Sequence, residues 1–213
     1  MEGMDLRKFD ITKSNANTIF MQVYQPSQMQ LDRLNGLMRT RNMYASTATP
    51  VGTRATVTIE PALYKEVASH WPSGVAVITA ADSDGKLNGL TMSAVIALSL
   101  SPMQFLISVD KRSLTLPIIK DGGRFCINFL SSSQADIAMQ FASKSTDKLA
   151  SVKHRISQWG LPIIDGVVAS ITCEVHSIMP GGDHELIVGD VLDIEHFGGE
   201  ALLHFKRAFH TIP

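Results

Sequence analysis

From Pro61 onward the chain is a series of short, apolar, β-branched segments, each closed by turn chemistry. That rhythm confines it to a mainly β fold. Residues 75–79 (Val-Ala-Val-Ile-Thr) read as a strand. Asp82-Ser83-Asp84-Gly85 then supplies side-chain oxygens for local amides and a glycine that tolerates positive φ, so residues 86–91 return as the second arm of a hairpin. Apolar runs at 94–100 and 104–109 follow, broken by Ser101-Pro102, and 125–130 is a further strand. Two long strands, 167–178 and 186–196, meet at Pro180-Gly181-Gly182-Asp183, and 201–205 closes the chain. Short helices are expected at 62–70, 113–120 and after Ser131-Ser132-Ser133, where a serine oxygen would cap the first free amides and Ile137, Ala138 and Phe141 would form the buried face. The polar stretch 143–158 reads as a surface excursion. The sum is about seven strands and three or four short helices. Short turns between neighbours favour an antiparallel sheet, and apolar residues on both faces favour a closed or nearly closed β-barrel.

The first sixty or so residues have a different texture. They hold six of the ten methionines and a threonine-rich run at 45–58, without sustained period 2 or 3.6. We expect residues 1–61 to be a loosely ordered N-terminal extension with a short helix near 28–39, or in part a mis-assigned start with Met43 as the true one. Residues 62–213 form the expected domain.

Composition removes several function classes. Lys and Arg number 19 against 20 Asp and Glu, a net charge of −1, which is not the basic balance of a nucleic-acid binder. The two cysteines, Cys126 and Cys173, lie far apart in apolar runs without metal or redox spacing, which suits a reducing cytosol. No apolar run reaches the roughly 20 residues that span a bilayer, so a cytoplasmic protein is expected. No phosphate loop ending in Gly-Lys-Ser or Gly-Lys-Thr, no Gly-x-Gly-x-x-Gly and no Gly-x-Ser-x-Gly elbow is present.

Two clusters carry candidate chemistry. Asn88-Gly89-Leu90-Thr91-Met92-Ser93-Ala94, with Ser99-Leu100-Ser101-Pro102 close behind, combines hydroxyls, a carboxamide and a glycine at a strand end. These suit the edge of a phosphate or heterocycle, and they equally suit plain turns. Lys111-Arg112-Ser113 follows the next strand and offers cations to the same place. The second cluster is Gly182-Asp183-His184, where a histidine heads an apolar strand directly after a tight turn. Taken alone, Asp183 is a turn cap and His184 an ordinary half-exposed residue. The remaining histidines are dispersed without ligand spacing, and Trp71, beside Pro72, lies near the candidate pocket.

Several segments in order resemble one family, the flavin reductase-like proteins with an FMN-binding split barrel, which are reductase components of two-component flavin monooxygenases. They are Trp71-Pro72-Ser73-Gly74-Val75, Asn88 to Ala94, Ser99-Leu100-Ser101-Pro102, Phe125-Cys126-Ile127-Asn128-Phe129-Leu130, Gly160-Leu161-Pro162, Cys173-Glu174-Val175, and Gly182-Asp183-His184 with Gly189-Asp190-Val191. The resemblance spans about residues 63–209. It implies an antiparallel split β-barrel that forms a homodimer, binds FMN or FAD, and reduces it with NADH or NADPH for a monooxygenase coupled by diffusing reduced flavin. Carried over by position, Ser73, Asn88, Gly89, Leu90, Thr91, Met92, Ser93, Ala94, Ser99, Leu100, Ser101, Lys111, Arg112, Ser113 and Asn128 would contact the flavin, and His184 would sit where nicotinamide meets it. Met103 and Ala94 depart from the residues common in the family. The rivals to this expectation are a flavin-binding module that does not turn over NAD(P)H and a related split-barrel oxidase.

Overall fold

The computed structural model describes residues 58–211, and the expectations for the extension, including the helix near 28–39, lie outside the described residues. Helix α1 (Pro61–Ser69) opens with proline in its first turn, where the missing N–H costs nothing, and has no buried residue. Strands β1 (Ser73–Gly74), β2 (Ala76–Ala81), β3 (Leu87–Met92), β4 (Val95–Leu100) and β5 (Met103–Asp110) follow. Helix α2 (Leu116–Gly122) ends at Gly123, whose φ of 66° is the left-handed stop that glycine adopts without strain. Then come β6 (Arg124–Phe129), α3 (Ala135–Ala142), β7 (His154–Ile156), β8 (Pro162–Ile164), β9 (Ala169–Gly181), β10 (His184–His196), β11 (Leu203–Phe205) and β12 (Ala208–His210). Among the described residues no helix is long and apolar enough to cross a membrane.

The main sheet is antiparallel, with seven strands in the order β3-β2-β6-β9-β10-β5-β4. A three-stranded sheet, β1-β11-β12, and a β7–β8 pair accompany it. The sheets do not close into a ring, so the architecture is a split barrel. Central strands read as continuous apolar runs because both of their faces are covered. In β2, Ala76, Ile78 and Ala80 join Phe125, Ile127, Ile107 and Ile187 in one core, while Val77 faces a second core with Phe141, Leu130 and Ile164.

Several sequence expectations need correction. The serines at 131–133 do not cap α3. Its N-cap is Gln134, whose side-chain oxygen accepts from the Ser131 amide while Ser131 and Ser133 face each other 3.3 Å apart. Residues 143–158 are not wholly a surface excursion, because Lys148, Leu149 and Val152 are buried and β7 lies within them. The chain does not close at residue 205 but turns back as β12.

Candidate functional site

A cavity of about 1400 Å³ lies among α1, β1, the start of β4 and the β11–β12 hairpin. Its wall is mostly apolar: Val75, Val95, Phe105, Phe129 and Leu202, with Trp71 80% exposed. Hydroxyls from Ser73 and Ser93 supply a polar edge. The ionisable side chains lining it include Lys65, His204 and Arg207, and among the described residues in its wall there is no carboxylate. A large apolar cleft with a few polar groups is the usual form of a cofactor site, and this one fits a planar heterocycle that carries an anionic tail.

Of the sequence-predicted residues, the cavity wall gathers Ser73, Ser93 and Ala94. It also includes Trp71, His204 and Arg207, which are not among the predicted contacts. Trp71 was visible as an aromatic beside Pro72, but nothing in the sequence marks His204 and Arg207, which reach the wall only because β11 folds back onto β1.

Other predicted residues have scaffolding places. Asn128 is fully buried, donates to Val77 O at 3.2 Å and Thr79 Oγ1 at 3.1 Å, and accepts from the Ile164 amide at 2.9 Å. Its carboxamide is thereby committed to two neighbouring strands, β2 and β8, and does not line the cavity. Asn88 is buried, and its side-chain oxygen takes the Gly89 amide. A Cβ on Gly89 would lie 2.7 Å from the Phe141 ring and 2.8 Å from Ile78 O, so this glycine serves close packing. The Gly89 carbonyl accepts from the buried Lys148 ammonium at 3.0 Å, and burial lowers the Lys148 pKa. Thr91 donates to Ala138 O at 2.6 Å. Met92 is buried in the first core, with Leu90 packed against it. Ser99, Leu100 and Ser101 lie at the edge formed by β4 and are not part of the cavity wall.

A third group assembles at the far end of β5 and β10. Register places His184 opposite Asp110. The His184 Nδ1 is 2.7 Å from Asp183 Oδ1, and Lys111 Nζ donates to Gly182 O at 2.6 Å. Arg112 donates to Asp110 through Nε at 3.1 Å, Nη2 at 2.7 Å and its backbone amide at 2.8 Å. Those side-chain and backbone hydrogen bonds hold the Asp110 carboxyl well below the usual carboxylate range, and the His184 hydrogen bond lowers Asp183 in the same direction. Ser113 accepts from the Thr115 amide at 3.2 Å. None of this group lines the cavity described above.

Cysteine chemistry finds no support, since burial pushes both Cys126 and Cys173 thiols up to about 12, far from the thiolate range of a nucleophile.

The sequence profile described as "Flavin reductase like domain" matches residues 68–213. A flavin reductase of Pseudomonas putida is 37% identical over 149 residues, covering 70% of this chain and 88% of its own. The reductase subunit HsaB of a flavin-dependent monooxygenase from Mycobacterium tuberculosis is 38% identical over 133 residues, covering 62% of this chain and 71% of its own. Among solved structures, an NADH:FAD oxidoreductase of Streptomyces globisporus in complex with NAD and FAD fragments superposes with a TM-score of 0.69 at 27% identity, covering 74% of this chain and 97% of that one.

Proposed function

The chain belongs to the flavin reductase-like family, and on that basis we propose that it reduces FMN or FAD with NADH or NADPH and supplies the reduced flavin to a partner monooxygenase. The observation that carries this function is the cavity of about 1400 Å³, with an apolar wall, a hydroxyl edge at Ser73 and Ser93, and no carboxylate among its described lining residues. Flavin, when bound, supplies the hydride-accepting chemistry. The protein's part is to bind, orient and exclude water, which accounts for a site built without an acid–base dyad in its wall. Ser73 and Ser93 would hold the polar edge of the ring system and place donors where negative charge develops, while Val75, Phe105 and Phe129 keep water away. On the family resemblance His184, fixed by Asp183 and standing outside the cavity wall, would orient the nicotinamide, with Lys111 the cation beside it, since Arg112 is already neutralised by Asp110. The reductase domain is residues 62–213, and we place it in the cytoplasm.

The same function includes a homodimer. Ile96, Leu98, Leu100 and Met103 are 54%, 45%, 62% and 56% exposed on the edge formed by β4 and the start of β5. Apolar residues clustered at an unpaired sheet edge mark a surface that another chain covers. Ile96 and Ala97 also line the cavity, so a second copy seated on β4 adjoins the flavin site.

The test is turnover with free flavin. The protein should consume NADH or NADPH only when FMN or FAD is supplied, and flavin reduced on it should leave and reduce ferricytochrome c in solution. NAD(P)H consumption with no dependence on added flavin contradicts the assignment.

A further inference from the structure

The turn between β11 and β12 is built from two residues that both adopt left-handed backbone, Lys206 at φ 49° and Arg207 at φ 63°. A two-residue hairpin with positive φ at both central positions normally takes Asn-Gly, Asp-Gly or Gly-Gly, because a Cβ is strained there. Strain at such a position persists where the surrounding structure holds it, and it clusters at ligand sites. Two of the contacts that hold the turn come from α1. The Lys206 amide donates to Ser69 O at 2.8 Å, and Arg207 Nη2 donates to Glu66 Oε2 at 3.0 Å.

Arg207 is exposed and lines the cavity, so its guanidinium stands at the solvent rim. Lys65, one residue from the carboxylate that engages Arg207, and His204 on β11 line the same cavity. Glu66 engages one guanidinium nitrogen, and among the described residues the other N–H donors of the fork have no hydrogen-bond partner. Lys206 turns elsewhere, its ammonium 5.4 Å over the Phe205 ring. A hairpin that needed only to reverse direction would be more stable with glycine at position 207. Arginine there is therefore explained by what its side chain does.

We propose that Arg207, assisted by Lys65, binds the phosphate of a nucleotide whose ring occupies the cavity. The planar fork of arginine matches phosphate oxygens, and Arg207 with Lys65 against the single Glu66 carboxylate leaves this side of the cavity net positive, which favours an anion. The phosphate belongs either to the flavin nucleotide or to the pyridine nucleotide, both of which follow from the reductase function on which this assignment rests.

The experiment compares the full-length wild-type protein with Arg207→Gly and Arg207→Lys. Glycine removes the cation and also relieves the left-handed strain, so its melting temperature should be unchanged or raised. Affinities for FMN and for riboflavin, which lacks the phosphate, are read by flavin fluorescence, and KM values for NADPH and NADH by steady-state kinetics. If the flavin phosphate is the ligand, Arg207→Gly weakens FMN by about tenfold or more while riboflavin is unchanged, with partial recovery in Arg207→Lys. If the pyridine nucleotide is the ligand, a KM for NADPH or NADH rises by a similar factor and both flavins are unaffected. The proposal is overturned if none of these changes, or if riboflavin weakens as much as FMN. A wild-type protein that takes up neither flavin overturns the reductase function itself, a result separable from wild-type binding that Arg207→Gly leaves intact.

Discussion

His184 Nδ1 lies 2.7 Å from Asp183 Oδ1, so each end of the imidazole has a defined role. A carboxylate only accepts, so in this contact Nδ1 carries the proton and Nε2 points away from Asp183. His184→Ala should lower turnover with NADH or NADPH by at least about tenfold, the scale of a lost orienting contact, with flavin affinity unchanged. Asp183→Asn should lower turnover in the same direction because it no longer selects one tautomer. Unchanged turnover with weakened flavin binding in His184→Ala would overturn the assignment.

Asp110 gives the pH dependence a definite sign. Its carboxyl ionises near 3.8 in the unfolded chain and well below that in the native one, where Arg112 donates to it through both side chain and backbone. The native state therefore binds fewer protons than the unfolded state as pH falls below about 4. The stabilisation is present above that range and lost progressively below it. Thermal melts from neutral pH to pH ~3 should show the wild type losing more stability than Asp110→Asn, and parallel loss in both would contradict this account.

Asn128 and Thr79 separate scaffold from ligand. Asn128→Leu removes donors to Val77 O and Thr79 Oγ1 and leaves the buried Ile164 amide without its acceptor. The loss should be about 1–3 kcal/mol for the orphaned groups, read by denaturant titration, while the folded fraction binds flavin as the wild type does. Gly89→Ala should also destabilise, because its Cβ would meet the Ile78 carbonyl as well as the Phe141 ring. Weakened flavin binding in a fully stable Asn128→Leu variant would restore Asn128 to the site.

The proposed homodimer predicts a separable phenotype. Leu98→Glu places a charge on the exposed β4 edge without touching a core residue, so the chain should fold but sediment as a monomer with reduced flavin affinity. A wild-type protein that already sediments as a monomer contradicts the dimer.

The strands were legible in the sequence because burial on both faces writes itself as unbroken apolar runs. Residues 75–79 and 125–130 correspond to β2 and β6, and the turn at 82–85 lies where the β2–β3 hairpin turns. The cavity was only partly legible. Its wall is assembled from separated segments, and strand spacing alone does not reveal that β11 pairs with β1, which is what delivers His204 and Arg207. The β11–β12 hairpin was hidden for a related reason: Lys206-Arg207 carries none of the Gly, Asn or Asp that announces such a turn. In the segment from Asn88 to Ala94, polar residue types suggested ligand contacts throughout. Packing divides them, with Asn88 buried within β3, Gly89 and Thr91 holding β3 to its neighbours, and Ser93 and Ala94 left at the cavity.

The central claim is that this cavity holds an isoalloxazine accessible to a hydride donor, and anaerobic mixing of the protein with one equivalent of FMN or FAD and excess NADH or NADPH tests it most directly. The account predicts that the yellow absorbance bleaches much faster than in a protein-free control, and that this acceleration is largely lost in His184→Ala. Flavin that binds yet stays oxidised, or a protein that takes up no flavin, would contradict it.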